Sequence, residues 1–121
     1  MELTPLVQSG RQIIERYGPT GFRVSGSVYL GPVLVFPDRT VTWADAAMTQ
    51  EGLAPVIEHG GVEVLLLGLG RRMAPVGAPL RAALKARRIA IEAMATGAAC
   101  RTYNVLLAED RRVAAALLPP L

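Results

Sequence analysis

This chain of 121 residues has little of the chemistry on which many functional sites depend. It contains one cysteine and one histidine. A single cysteine excludes an internal disulfide framework and any multi-cysteine metal site, and a single histidine excludes sites that need two imidazoles. Aromatic residues make up only 5% of the sequence, so the core must be built from aliphatic side chains. We expect no bound metal and no cofactor.

Long apolar runs and a targeting layout are missing as well. No uncharged apolar stretch reaches the ~20 residues that a membrane-spanning helix needs, and the start of the chain lacks the basic-then-apolar layout of a signal peptide. We therefore expect a cytoplasmic protein, and peripheral attachment to the inner membrane would require a partner. With 51% apolar and 19% charged residues the chain is globular, and its length suits a single domain over residues 1–121.

Positive charge, in contrast, is concentrated in one segment. The basic residues between positions 71 and 88 are Arg71, Arg72, Arg81, Lys85, Arg87 and Arg88, and no acidic residue occurs from position 64 to 91. Such an excess attracts anionic ligands, acidic protein surfaces or anionic lipid. The alternative is an ordinary solvated helix face. Arg81, Lys85 and Arg88 share a helical face at i, i+4 and i+7, and they are the candidate partner-binding residues.

Turn residues separate short apolar runs in the first 44 residues. The pattern predicts an antiparallel meander of strands at 12–17, 22–25, 28–30, 33–36 and 40–43. From position 50 onward helices and strands alternate, with helices at 50–59, from 79 and from 96, and strands at 62–67, 89–94 and 113–118. This order predicts a three-layer α/β domain with a mixed, mostly parallel central sheet and an added N-terminal antiparallel β-layer.

Two glycine-containing turns are expected at the carboxyl ends of neighbouring strands, where open α/β sheets bind ligands. Glycine there allows close backbone approach, and free amides at a helix start favour an anion. The candidate ligand-binding residues are Gly68, Gly70, Arg71, Thr96, Gly97, Cys100, Arg101 and Asn104. The signal is weak because the first turn lacks the third glycine of a dinucleotide fingerprint.

Several of these residues have structural alternatives to ligand binding. Thr96 is placed to cap the last helix. Cys100 lies beside Arg101 near the start of that helix, which suits a thiolate, but a resolving cysteine is absent and cysteine is often buried, so we favour a packed thiol. Asn104 can bond to neighbouring backbone. His59 stands near a helix end, where a cation suits the helix dipole. We predict no catalytic residues.

Segments in both halves of this sequence resemble the Mth938-domain family. The matching segments are 21–26 (GFRVSG), 33–37 (VLVFP), 64–70 (VLLLGLG) and 96–106 (TGAACRTYNVL), together with Tyr29, Gly31 and Trp43. The resemblance covers nearly the whole chain and implies a three-layer β+α/β/α domain. A mitochondrial member is an assembly factor of respiratory complex I, so the resemblance also implies a protein-binding role. It brings no established catalytic residues.

Two functions follow as hypotheses. The leading one is a non-enzymatic interaction protein that assists assembly of a respiratory or membrane complex and binds a protein partner through the basic segment. The alternative is a small-anion-binding protein or enzyme that uses the crevice between Gly68–Arg71 and Thr96–Arg101. Nucleic-acid binding is disfavoured, because the basic segment lacks the aromatic side chains on which bases stack.

Overall fold

A computed structural model describes residues 10–71 and 75–120 of the chain. Two features discussed above lie outside these residues, namely Arg72 of the basic segment and the start of the chain. Within the described residues no helix is long and apolar enough to cross a membrane.

The N-terminal strands form a small antiparallel sheet. Its members are β1 (Ile14–Gly18), β2 (Gly21–Val24) and β3 (Ser27–Leu30), in that order. Ser25 and Gly26 form the two-residue turn between β2 and β3, and both have positive φ, as a tight hairpin requires. A Cβ at position 21 would collide with the backbone carbonyl of Tyr29. Glycine at that position therefore allows the strands to pair closely.

The central sheet has five strands in the order β5-β4-β8-β6-β7. They are β4 (Val33–Val35), β5 (Thr40–Thr42), β6 (Val64–Leu69), β7 (Ala90–Met94) and β8 (Val113–Leu118). Strand β6 runs parallel to β7 and β8, whereas β4 runs antiparallel to β5 and β8. The sheet is thus mixed as predicted but not mostly parallel, since two of its four pairings are parallel and two are antiparallel. The reason is that β4 is buried at every residue and joins the central sheet with β5, instead of extending the N-terminal layer.

Three helices complete the described fold. They are α1 (Ala54–His59), α2 (Ala78–Lys85) and α3 (Thr96–Ala108). Helix α1 begins later than the sequence predicts, because Thr49 accepts the N–H of Gly52 at 3.0 Å and stabilises a separate turn. Pro55 then lies in the first turn of α1, where the missing N–H costs nothing.

The two faces of the central sheet are covered by different layers. Helix α3 and the three-stranded sheet cover one face, where Leu66 points, and α1 and α2 cover the other, where Leu65 points. Both leucines are completely buried. This arrangement confirms the predicted three-layer α/β domain with an antiparallel sheet beside it.

Candidate functional site

Thr96 joins the turn after β6 to the end of β8. Its hydroxyl accepts the N–H of Gly70 at 2.9 Å and donates to the carbonyl of Leu118 at 2.6 Å. The Thr96 N–H donates to the Gly70 carbonyl at 2.8 Å. The predicted N-cap role is therefore wrong: Ala95 occupies the cap position, and the hydroxyl of Thr96 bonds to Gly70 and Leu118 instead.

Gly68 and Gly97 pack closely against other side chains, whereas Gly70 has a positive φ of 93°. A Cβ at position 68 would lie 2.8 Å from the Leu117 side chain, and one at position 97 would lie 2.5 Å from the hydroxyl oxygen of Tyr17. Since the Gly70 amide bonds to Thr96, it is not available to an anion. The two turns are thus brought together as predicted, but they contact each other where the crevice was expected.

Cys100 and Asn104 face the core rather than this crevice. Cys100 is completely buried, and burial raises the pKa of its thiol to about 12, although the Arg101 guanidinium acts in the opposite direction. The packed-cysteine interpretation is confirmed. A neutral thiol at physiological pH is a poor nucleophile.

The Asn104 side chain bonds to β1 across the interior. Its Oδ1 accepts the N–H of Ile14 at 3.1 Å, and its Nδ2 donates to the Ile14 carbonyl at 2.8 Å. Next to it, the hydroxyl of the buried Tyr103 donates to the Gln12 carbonyl at 3.2 Å, and desolvation raises the pKa of this phenol. These two side chains hold the N-terminal sheet against α3.

Two of the candidate ligand-binding residues remain exposed, Arg71 and Arg101. The Arg101 guanidinium donates to the Tyr17 hydroxyl at 3.2 Å, which links α3 to the end of β1. Anion binding by these two side chains stays a prediction.

The candidate partner-binding residues surround a cleft of about 400 Å³ beside α2. We call it the basic cleft and define it by its lining residues, Glu63, Arg81, Lys85, Arg88, Ile89, Ala90 and Ile91. Its three cations are exposed, whereas the side chains of Ile89 and Ile91 are buried. The cleft therefore combines an apolar floor with a positively charged rim.

Among the residues that the structure describes, no ion pair neutralises the positive charge of the basic cleft. Within residues 10–71 and 75–120, none of the three cations takes part in an ion pair. The acidic member, Glu63, pairs instead with Arg111 at 3.2 Å and Arg112 at 3.8 Å. The hydrogen bond from Arg111 is the main reason why the pKa of Glu63 is lowered. The rim keeps its positive potential.

Sequence reasoning missed the apolar floor of the cleft and the partner of His59. The floor belongs to the start of β7, and its position beside α2 depends on the order of the strands in the sheet.

His59 ends α1 as expected, but its Nε2 also bonds to Asp38 at 2.7 Å, and its ring stacks on Phe36 at 4.2 Å. The bond to His59 is the main cause of the lowered pKa of Asp38. Residues 21 positions apart carry no local signal for such a pair.

A metal centre finds no support in the part of the chain that the structure describes. There, no group of three or more His, Cys, Asp or Glu side chains converges in a way that would hold an ion.

The sequence also matches a family model over nearly all of its described length. The family is described as "Protein of unknown function (DUF498/DUF598)", and the match covers residues 14–118. The chain belongs to this family. The family resemblance noted from the sequence is thereby confirmed.

Solved structures place the DUF498/DUF598 chain among Mth938-like domains. A Bordetella pertussis protein described as a Mth938-like domain is 30% identical, with a TM-score of 0.77 over 99% of this chain and 93% of that chain. A Bartonella henselae protein described as an outer membrane protein is 40% identical, with a TM-score of 0.81 over 91% of this chain and 96% of that chain. Both similarities support the Mth938-like fold.

Relatives in this family include bacterial and animal proteins. An uncharacterized protein of Rhodobacter capsulatus is 39% identical over 113 residues, which are 92% of this chain and 87% of that protein. A Danio rerio protein named NADH dehydrogenase (ubiquinone) 1 alpha subcomplex assembly factor 3 is 37% identical over 117 residues, 93% of this chain and 67% of that protein. The human protein of the same name is 31% identical, and this chain spans 60% of its length.

Proposed function

We propose that this protein is a non-enzymatic interaction protein that assists assembly of a membrane-bound respiratory complex and binds its protein partner through the basic cleft. The observation that carries the proposal is the cleft itself, in which Arg81, Lys85 and Arg88 surround an apolar floor without ion pairs among the described residues. The animal relatives named as complex I assembly factors support the choice of process.

The bonding of the Thr96 turn supports a non-enzymatic role. Thr96 and Asn104 of α3 bond to the backbone of distant segments of the chain, and burial keeps the Cys100 thiol neutral. The polar residues that first suggested chemistry thus stabilise the fold. The alternative, an anion held between Gly68–Arg71 and Thr96–Arg101, has less support because the two turns bond to each other there.

The proposal is tested by affinity capture with tagged protein from cells that contain the chain. We expect the triple variant Arg81→Glu, Lys85→Glu, Arg88→Glu to lose the partners that the wild type retains, because the rim then repels an acidic surface. A matched control, Arg16→Glu, Arg23→Glu, Arg39→Glu, makes the same change of net charge at exposed arginines outside the basic segment and the cleft.

Melting curves of both triple variants establish that they fold. Capture of the same partners by the cleft variant and the wild type would contradict partner binding through the basic cleft. Equal losses in both variants would reduce the effect to net charge and would also contradict the proposal.

A further inference from the structure

Strand β7 forms one edge of the five-stranded sheet, and the basic cleft opens beside it. The N–H of Ala90 donates to the Glu63 carbonyl at 2.9 Å, so the polar backbone groups of Ala90 point toward β6. Successive residues of a strand point these groups to opposite sides. Those of Ile91 and Ala93 therefore point away from β6, where no other strand pairs with β7 within the described residues.

The outward groups of β7 are those that an added strand needs. Ile91 and Ala93 each point one N–H and one C=O toward this edge, and extended peptides bind such edges through main-chain hydrogen bonds. The cations of the basic cleft lie along the same edge. The Arg81 guanidinium already donates to the Ile91 carbonyl at 3.2 Å.

We propose that the basic cleft recognises an acidic, extended segment of the partner protein, and that this segment pairs with β7 as an additional strand. The proposal rests on the proposed function and names what its binding surface takes. Main-chain groups of the segment bond to Ile91 and Ala93, and its carboxylates bond to the cations of the rim. Because successive side chains of a strand point to opposite faces of the sheet, the carboxylates lie on the α2 face with the cations, and the uncharged side chains that alternate with them lie on the other face.

Charge decides between an acidic segment and a second copy of this chain. Open edges invite pairing with any strand, and positively charged side chains along an edge prevent two copies from pairing. A second copy would bring Arg81 and Lys85 against the same residues. An acidic segment instead draws the Arg81 guanidinium from the Ile91 carbonyl onto a carboxylate, since a guanidinium bonds more strongly to an anionic carboxylate than to a neutral carbonyl. Arg81 thus protects the free edge and yields to a partner of opposite charge.

The first test is a titration of the protein with a labelled synthetic peptide in which Glu alternates with Val, followed by fluorescence anisotropy. The comparison peptide carries Lys in place of each Glu. We expect the acidic peptide to bind and the basic one not to bind. The affinity should fall about tenfold or more in Arg81→Glu, Lys85→Glu, the loss expected for one or more charge-assisted hydrogen bonds. Failure of the acidic peptide to bind, or equal binding of both peptides, overturns the proposal.

A second variant isolates the strand pairing from the charge. Ala93→Pro removes one outward N–H, which an edge strand tolerates, and leaves the three cations in place. Peptide binding should fall about tenfold, whereas the control Ala93→Ser, which keeps the N–H, should bind like the wild type. Unchanged binding by folded Ala93→Pro excludes strand addition.

Amide hydrogen exchange of the wild-type protein tests the same strand pairing without a variant. With the acidic peptide bound, exchange at the Ile91 and Ala93 amides should slow by about tenfold or more. Unchanged exchange at both amides overturns the pairing. Dimerisation that increases with concentration and is abolished by Ala93→Pro would assign the edge to a second copy and also overturn the proposal.

The outcomes separate this inference from the function on which it rests. Partner capture that depends on the three cations, together with no effect of Ala93→Pro on peptide binding, keeps the proposed function and refutes strand addition. Partner capture that is unchanged in the triple cleft variant refutes the proposed function, whatever the result of the peptide titration.

Discussion

The side chain of Asn104 supplies Ile14, the first residue of β1, with two hydrogen bonds of the kind that a neighbouring strand would supply. Ile14 is completely buried, and its N–H and C=O both need partners because unpaired polar groups are costly in the interior. The carboxamide offers one acceptor and one donor, and both are used on Ile14. A helix residue thereby fixes the position of the N-terminal sheet.

Replacing Asn104 with Ala should therefore destabilise the protein strongly. Both polar groups of Ile14 lose their partner in a dry site, and we expect the free energy of unfolding to fall by about 2–4 kcal/mol. Urea denaturation measures the change. The neighbouring exposed Val105 supplies the control, since Val105→Ala should stay within about 0.5 kcal/mol of the wild type. A similarly small effect at Asn104 would show that the two bonds contribute little.

At the level of single residues, the sequence predicts whether a side chain is buried better than it predicts the hydrogen-bond partners of that side chain. The buried thiol of Cys100 follows from composition and the absence of a second cysteine. The bonds of Thr96 and Asn104 do not, because local spacing favours capping or nearby backbone, and the actual acceptors lie 22 and 90 positions away. Only the tertiary structure brings such distant groups together.

Among the elements, the end of α2 contains a backbone conformation that its sequence does not favour. Arg88 has a φ of 62°, in the left-handed region where Gly is usually found after a helix. Its N–H donates to Lys85 O, and the N–H of Ile89 donates to Leu84 O. The turn from α2 to β7 thus aims the chain onto the sheet edge, with a cation of the basic cleft at the strained position.

Arg88→Gly should stabilise the protein and weaken partner binding at the same time. Relief of about 1–2 kcal/mol of left-handed strain outweighs the about 0.5–1 kcal/mol of chain entropy that Gly costs, so the unfolding free energy should rise by about 0.5–1 kcal/mol. The control Arg88→Ala removes the same charge and keeps the strain. It should bind as weakly as Arg88→Gly without the gain in stability. Lower stability of Arg88→Gly would mean that the arginine side chain contributes to the fold itself.

The elements most accurately predicted are those with strong local signals. Strand β8 occupies the predicted residues, Val113–Leu118, because an apolar run lies between a helix end and two prolines. The placement of β4 and β5 could not be read in the same way. Strand β4 pairs with β8 about 80 positions later in the chain, and an apolar triplet contains no information about which sheet will take it. The basic cleft depends on the same ordering, because its floor is an edge only if β7 is the last strand.

For the molecule as a whole, the charges divide into paired and unpaired sets. Asp38 pairs with Arg39 and Glu63 pairs with Arg111, whereas the cations of the basic cleft have no such partner among the described residues. Hydrogen bonds from His59 and Arg111, respectively, are the main causes that lower the pKa values of Asp38 and Glu63 below their usual range. Acid should therefore destabilise the fold by protonating the paired carboxylates, Asp38 and Glu63.

Stability should fall as the solution becomes acidic, and these two carboxylates should contribute to that fall. Each has a lower pKa in the folded than in the unfolded state, so its contribution is complete above the unfolded pKa and is lost as pH drops through the folded one. The variant Asp38→Asn, Glu63→Gln should be less stable than the wild type at neutral pH and should show a shallower decline of unfolding free energy toward acid pH in urea titrations. The control Glu58→Gln, Glu109→Gln removes exposed carboxylates outside the ion pairs of the described residues and should keep the wild-type slope. An unchanged acid slope in the first variant would mean that the bonds to His59 and Arg111 do not stabilise the folded state.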